Sequence, residues 1–221
     1  MLLAALHEGA GVPEDKPADV ACRHLADDHR CRIHDRLRAE GWRGCVTFDC
    51  FGAGQHVVQR TYGGARDADP VERAAVFGVL RQLHEMRFLL GDPACATSAV
   101  AAEALGLARE LELLGRGSPR AVLEVDVASW RTRAGALFAR VAAELGGPSY
   151  RGALLMATDL RRRDLHRADL LGADLRDADL RGADLSTALF LTQPQVSAAL
   201  GDPVTRLPAR LSRPAHWTSR G

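Results

Sequence analysis

Four of the chain's five cysteines fall in one stretch, CRHLADDHRCRIHDRLRAEGWRGCVTFDC. Cys22, Cys31, Cys45 and Cys50 stand nine, fourteen and five positions apart, with His24, His29 and His34 interleaved. Thiolate and imidazole are the donors that borderline and soft metals prefer, and four of them close a tetrahedral site. The candidate ligands are therefore Cys22, Cys31, Cys45 and Cys50, with His34 as a substitute. Zinc is the metal such a set suits, and an iron–sulfur cluster is the second reading. The spacing is not the doubled C-x-x-C of common zinc modules, so packed structural cysteines or free thiols compete with the metal. A metal clip would serve a segment with little core of its own. His34 follows Cys31 by three residues, which on a helix would turn both to one side; a plain surface histidine is the competing reading.

Elsewhere the chemistry is thin. Gly52 and Gly54 flank Ala53 in FGAGQ and read as a tight backbone turn. A phosphate cradle there would need more glycine and a Lys or Ser partner. His84 and Glu85 adjoin, but no second carboxylate stands at helical spacing to make an acid–base pair. No H-E-x-x-H, Walker or Rossmann pattern occurs, and no nucleophile–base–orienter set. Cys95, in GDPACA, reads as a small buried hydrophobe, and Trp42 and Phe48 read as core.

The elements that would position these residues are legible from punctuation. Asp69-Pro70-Val71-Glu72 is a helix start, and that helix should run to Leu90 and stop at Gly91. Val76, Leu80, Leu83 and Phe88 supply its buried face. Further helices are expected over 98–114, from Ser118-Pro119 toward Val125, and over 128–145 before Gly146-Gly147. The 221 residues are 47% hydrophobic and 26% charged, close to an average globular composition, which excludes a largely disordered chain or a short disulfide scaffold. Lys and Arg number 29 against 28 Asp and Glu, so no bulk charge draws the chain to nucleic acid or a membrane. No apolar run approaches the roughly 18 residues of a spanning helix. An odd cysteine count without a signal-peptide core predicts a cytoplasmic protein.

Toward the C-terminus an apolar residue recurs every five positions, at Leu155, Leu160, Leu165, Leu170, Leu175, Leu180, Leu185 and Phe190. A small residue precedes most of them by two, as at Ala168, Ala173, Ala178 and Ala183. A period of five fits neither a helix nor a flat strand. It predicts a solenoid in which each unit makes one side and turns one corner, with Leu and Ala inward. Arg163 breaks the small-residue position and should snorkel outward. Thr192 to Leu200 reads as a short capping helix, and the proline-spaced tail as an extended strap in which Arg206, Arg210, Arg213 and Arg220 are solvated. Trp217 should pack.

The units ADLLG-ADLRD-ADLRG-ADLST resemble the pentapeptide-repeat family. The resemblance implies a right-handed quadrilateral β-helix, four units to a coil, so eight units give about two coils. The pieces DKPADVACRHL, RCRIHDRL, GWRGC and FDCFGAGQ resemble the cysteine-rich front part of actinobacterial pentapeptide-repeat proteins. More distantly they resemble zinc- or iron–sulfur-binding cysteine-cluster proteins. In that pattern a further CxxC and CC pair precede the DKP element, whereas Met1 to Glu14 contains no cysteine. Either the chain starts downstream of that stretch or it keeps a four-ligand remnant. Some pentapeptide-repeat proteins imitate DNA and engage gyrase, which requires a long and strongly negative surface. Two coils would be only on the order of 10 Å tall. Arg151 to Phe190 holds seven Asp and seven Arg, so it is neutral. The DNA-mimic reading is disfavoured.

The expectation is an α+β fold: a cysteine-rich segment over 1–64, a helical middle over 65–148, a pentapeptide β-helix over 149–191, and a capping helix with an extended tail over 192–221. The function expected is that of a non-catalytic binding or scaffold protein for a protein partner, with a structural metal site for which zinc is one candidate. A redox or iron–sulfur protein is the alternative.

Overall fold

The computed structural model describes residues 6–8, 11–18, 20–27, 30–34, 36–64 and 68–217; His29 and Arg220 lie outside them. The chain divides into two compact units, Met1–Gly91 with Ala102–Gly135, and Asp92–Ala101 with Ala136–Gly221.

In the first unit two short helices, α1 (Arg43–Val46) and α2 (Ala53–His56), lead through a π-helical turn, Val57–Thr61, toward the long helix α3, Pro70–Leu90. Helices start where a short polar side chain precedes proline. Asp69 accepts from the Val71 N–H at 3.0 Å and Pro70 takes the first position of α3, as the residue types require. The same device opens α4 (Pro93–Thr97), where Asp92 accepts from the Ala94 N–H at 3.0 Å. GDPACA is thus helical, and Ser98 ends α4 in an extended conformation. That is why α5 begins only at Ala101 and runs to Gly115. Ser118 caps α6 (Pro119–Leu123), and α7 spans Val127–Leu145. Helix α3 buries Val76, Leu80 and Leu83 and packs on α2 and α6. A second small core gathers Val12, Ile33, Leu37 and Trp42, with Cys31 and Cys45 against it.

In the second unit the five-residue period is realised as turns. Leu165, Leu170, Leu175, Leu180 and Leu185 are buried with Ala168, Ala173, Ala178 and Ala183 in one core. Fully burying one leucine stabilises a fold by about 1.5–3 kcal/mol. Arg163 is exposed, as its misfit in the small-residue position predicts. Backbone pairing occurs as isolated parallel bridges twenty residues apart, Ser149–Asp169, Leu154–Asp174, Asp159–Asp179, Asp164–Asp184 and Asp169–Leu189. No strand or sheet forms among the described residues, and the regular elements are helices. The expected α+β class with a β-helix over 149–191 is corrected accordingly. The physical reason is the period itself. Gly152, Ala157, Arg162, Arg167, Gly172, Asp177 and Gly182 all have φ between 54° and 71°. A left-handed residue every five positions turns the chain before a second consecutive pair can extend any bridge.

The end of the array is closed by α8, Gln193–Ala198. Gln195 accepts from the Thr192 N–H at 2.8 Å and donates to the Leu170 and Ala173 carbonyls at 2.8 and 2.9 Å. The tail is a strap. Arg206 meets Asp184 at 3.1 Å, Arg210 meets Asp92 at 2.7 Å, and Arg213 donates to the Asp202 and Thr205 carbonyls. Trp217 is buried and donates through Nε1 to the Ala199 carbonyl at 3.1 Å.

Candidate functional site

The segment 22–50 brings part of its ligand set together. Residues 24–26 pair with residues 30–32: Leu25 bridges Cys31, and the Arg32 N–H donates to the His24 carbonyl at 2.8 Å. Trp42 anchors the turn, with the His24 ring edge-on to it at 5.2 Å. The Cys45 thiol is pushed up from its ordinary value by burial and then by the Cys22 and Cys31 thiols, so these three sulfurs share one neighbourhood. Cys50 is turned instead toward Gln55, with Sγ 3.9 Å from Oε1. His34 is exposed, and residues 31–34 form turns rather than a helix. Among the described residues no group of three or more His, Cys, Asp or Glu is arranged to hold a metal ion. The fit to zinc is thus incomplete as the chain stands. The fifth cysteine, Cys95, is fully buried, and burial followed by the Asp92 charge pushes its thiol up to about 12. It is a protonated core residue.

The repeat presents a different surface. In six units the residue before the inward leucine is Asp, and its carboxylate accepts from the N–H two residues on; Asp169 among them is itself buried. The six pairs are Arg161 on Asp159 at 3.1 Å, His166 on Asp164 at 3.0 Å, Leu171 on Asp169 at 3.1 Å, Arg176 on Asp174 at 3.2 Å, Arg181 on Asp179 at 3.2 Å and Ser186 on Asp184 at 3.0 Å. Aspartate is therefore a turn-forming residue here. Its charge is met by a neighbouring arginine: Asp159 by Arg161 at 2.7 Å, Asp174 by Arg176 at 2.6 Å, Asp179 by Arg181 at 2.9 Å. These guanidinium hydrogen bonds hold the Asp159, Asp174 and Asp179 carboxyls below the usual carboxylate range. Leu189 and Leu154 stand at aspartate positions; Leu189 is buried, whereas Leu154 has 79% of its surface exposed. Met156 beside it is also exposed, with its sulfur 2.9 Å from Arg176 Nη2.

A third place was not legible in the sequence. His56, at the end of α2, and His84, in α3, meet with Nδ1 of His56 2.9 Å from Nε2 of His84. Nδ1 of His84 lies 2.9 Å from the Phe51 carbonyl. The pair lines a cleft of about 220 Å³ together with Gly52, Arg60, Arg87, Glu112 and Arg116. Phe51 and Gly52 are both left-handed, with φ of 50° and 82°, and this turn aims the carbonyl at the imidazole. Of the two glycines in FGAGQ only Gly52 needs its freedom; Gly54 is helical. The two histidines are 28 residues apart and share no local signature, so only the packing of α2 on α3 could reveal them.

Residues 153–190 match the family model for pentapeptide repeats, in eight copies. An uncharacterized protein of Bacillus subtilis (strain 168), YybG, is 38% identical over 238 aligned positions, which cover 92% of this chain and 85% of that protein. No solved structure matches the chain. Among the described residues no helix is long and apolar enough to cross a membrane.

Proposed function

Since the chain belongs to the pentapeptide-repeat family, we propose that it acts as a non-catalytic binding protein whose repeat segment presents a surface to a protein partner. One observation carries the reading. The outward carboxylates of Asp159, Asp174 and Asp179 are engaged in their own turns and ion pairs, while Leu154 and Met156 stand out where most neighbouring units carry polar residues. Paired charge offers no acid, base or nucleophile, and exposed apolar side chains favour contact with another surface. The test uses Leu154→Asp, which restores the aspartate of the neighbouring units and so preserves the turn. A protein that copurifies with the native chain is purified separately and its affinity measured. Binding should weaken by at least tenfold in Leu154→Asp, whose thermal midpoint stays at or above that of the parent. Equal affinity of parent and variant rejects this face as the interface.

A second reading is favoured by the shared neighbourhood of Cys22, Cys31 and Cys45. A structural zinc ion would draw these thiolates together, with Cys50 or His34 moving in as the fourth ligand. Protein purified without oxygen should then carry about one zinc per chain, lost in Cys31→Ser and Cys45→Ser, with no visible absorption. Iron with a broad visible band would support the redox alternative instead, and the absence of metal from folded protein rejects both.

A further inference from the structure

The histidine pair fixes its own protons. A carbonyl oxygen only accepts, so Nδ1 of His84 carries the hydrogen donated to Phe51 O at 2.9 Å. Neutral His84 is then an acceptor at Nε2, and His56 must donate to it from Nδ1. His56 is left with Nε2 unprotonated, on a ring that lines the cleft. Burial lowers the proton affinity of both rings below the ordinary histidine value. For His56 the neighbouring His84, Arg60, Arg87 and Arg116 add to the effect. For His84 the bond to Phe51 opposes it, and Arg87 and Arg60 add to it.

The charges around this pair come from each element that faces it. Arg60 is on the π-helical turn, Arg87 on α3, Glu112 on α5 and Arg116 just past its end. Glu112 is shared by Arg87, at 2.9 Å, and Arg116. Three guanidinium groups thus face one carboxylate across a cleft whose imidazoles are neutral. A cation is repelled by that balance and an anion is attracted. Arg87 Nε is also buried with no acceptor among the described residues. At about 220 Å³ the cleft is smaller than the roughly 300–1,000 Å³ of sites for drug-sized ligands. Two backbone features are specific to the place. A Cβ on Gly115 would crowd Leu80 at 3.3 Å and meet the His56 ring in ordinary contact at 3.5 Å, so α5 packs directly against both. The π-helical turn is a rare element that concentrates at functional sites.

We propose that this cleft binds a phosphate-type oxyanion, with Arg60 and Arg116 supplying charge and His56 taking up a proton at Nε2 to donate to the bound anion. The proton comes from solvent, no covalent bond changes, and the Nδ1–H bond to His84 is kept. Binding and protonation are therefore coupled: the anion stabilises the imidazolium, and the imidazolium holds the anion. This site is built from none of the residues of the repeat surface and does not depend on the partner-binding reading.

Calorimetry of the full chain with sulfate, inorganic phosphate and ribose 5-phosphate, in two buffers of different ionisation enthalpy, tests this. Sulfate does not titrate between pH 6 and pH 8, so any proton taken up with it belongs to the protein. The affinity for sulfate should rise as pH falls from 8 to 6, with net proton uptake. Arg60→Glu should weaken binding by at least about tenfold. His56→Gln should abolish both the proton uptake and the pH dependence. Arg60 is exposed, so its variant keeps the test alive should His56→Gln unfold. Ribose 5-phosphate binding more tightly than inorganic phosphate assigns an organic phosphate as the ligand, and equal affinity assigns the free ion. No binding to folded protein at millimolar anion overturns the proposal. So does binding that Arg60→Glu leaves unchanged, or binding without proton uptake.

Discussion

At the scale of single residues, Asp92 ties three elements together while buried. One carboxylate oxygen caps α4 through the Ala94 N–H, and the other accepts from the Phe190 N–H at 3.0 Å and from Arg210 at 2.7 Å. Asp92 is 4% exposed, and the Arg210 side chain is 15% exposed. Burial lowers the proton affinity of that guanidinium while Asp92 restores part of it. A buried ion pair of this kind is weak evidence of net stability, because desolvation offsets much of the attraction. Removing one partner is nonetheless costly, since the other charge stays buried. Asp92→Ala should therefore destabilise the fold by about 3–5 kcal/mol, read from the urea midpoint. The double variant Asp92→Ala with Arg210→Met should lose less than the two single losses summed. Additive losses would mean that Asp92 acts through the α4 cap and the Phe190 amide alone. Cys95 sits beside this pair, and its high pKa keeps it a thiol, so it should resist alkylation until the chain unfolds.

At the scale of elements, the repeat turns on its left-handed residues. Glycine fills three of the seven positions, 152, 172 and 182; Ala157, Arg162, Arg167 and Asp177 fill the rest. An L-residue there is disfavoured by roughly 1–2 kcal/mol, and glycine gives part of that back as chain entropy. Ala157 is exposed, so its replacement removes no packing. Ala157→Gly should stabilise the protein by about 0.5–1 kcal/mol, seen as a raised thermal midpoint. An unchanged or lowered midpoint would show that the turn imposes no strain. The repeat's inward face was legible because leucine every five positions and alanine two before it admit neither helical nor strand packing. Its hydrogen bonding was not, because a period of five does not say how many consecutive residues pair. The helix starts at Asp69 and Ser118 are legible from local chemistry, and the same Asp-Pro signal at Asp92 opens α4 directly after the stop at Gly91. The cysteine set was read from spacing alone. Spacing could not show that Cys50 faces Gln55 while Cys45 is influenced by the Cys22 and Cys31 thiols. The histidine cleft had no signal at all, since its members come from α2, the π-helical turn, α3 and α5.

At the scale of the whole molecule, positive and negative charges nearly balance, so stability against pH is governed by particular groups rather than by net repulsion. His56 and His84 are the histidines whose folded environments lower their proton affinity. In the unfolded chain they take up protons as pH falls through about 6.5. In the folded chain they do so only at lower pH. Between those two values the unfolded state binds more protons, so stability rises with pH there. The contribution of this pair is complete above about pH 6.5 and is lost as pH falls toward the folded values. The lowered carboxyls of Asp174 and Asp179 act in the same direction, but only below about pH 4, where unfolded aspartates begin to protonate. The two windows are thus separable. The urea midpoint should fall between pH 7 and pH 5.5 in the parent chain, and the fall should flatten when both histidines are changed to Gln. Saturating sulfate should also flatten it, because a ligand that favours the protonated His56 raises the folded proton affinity. A midpoint constant over that range in the parent, without anion, would mean that the pair is already solvated enough to titrate as it does in the unfolded chain.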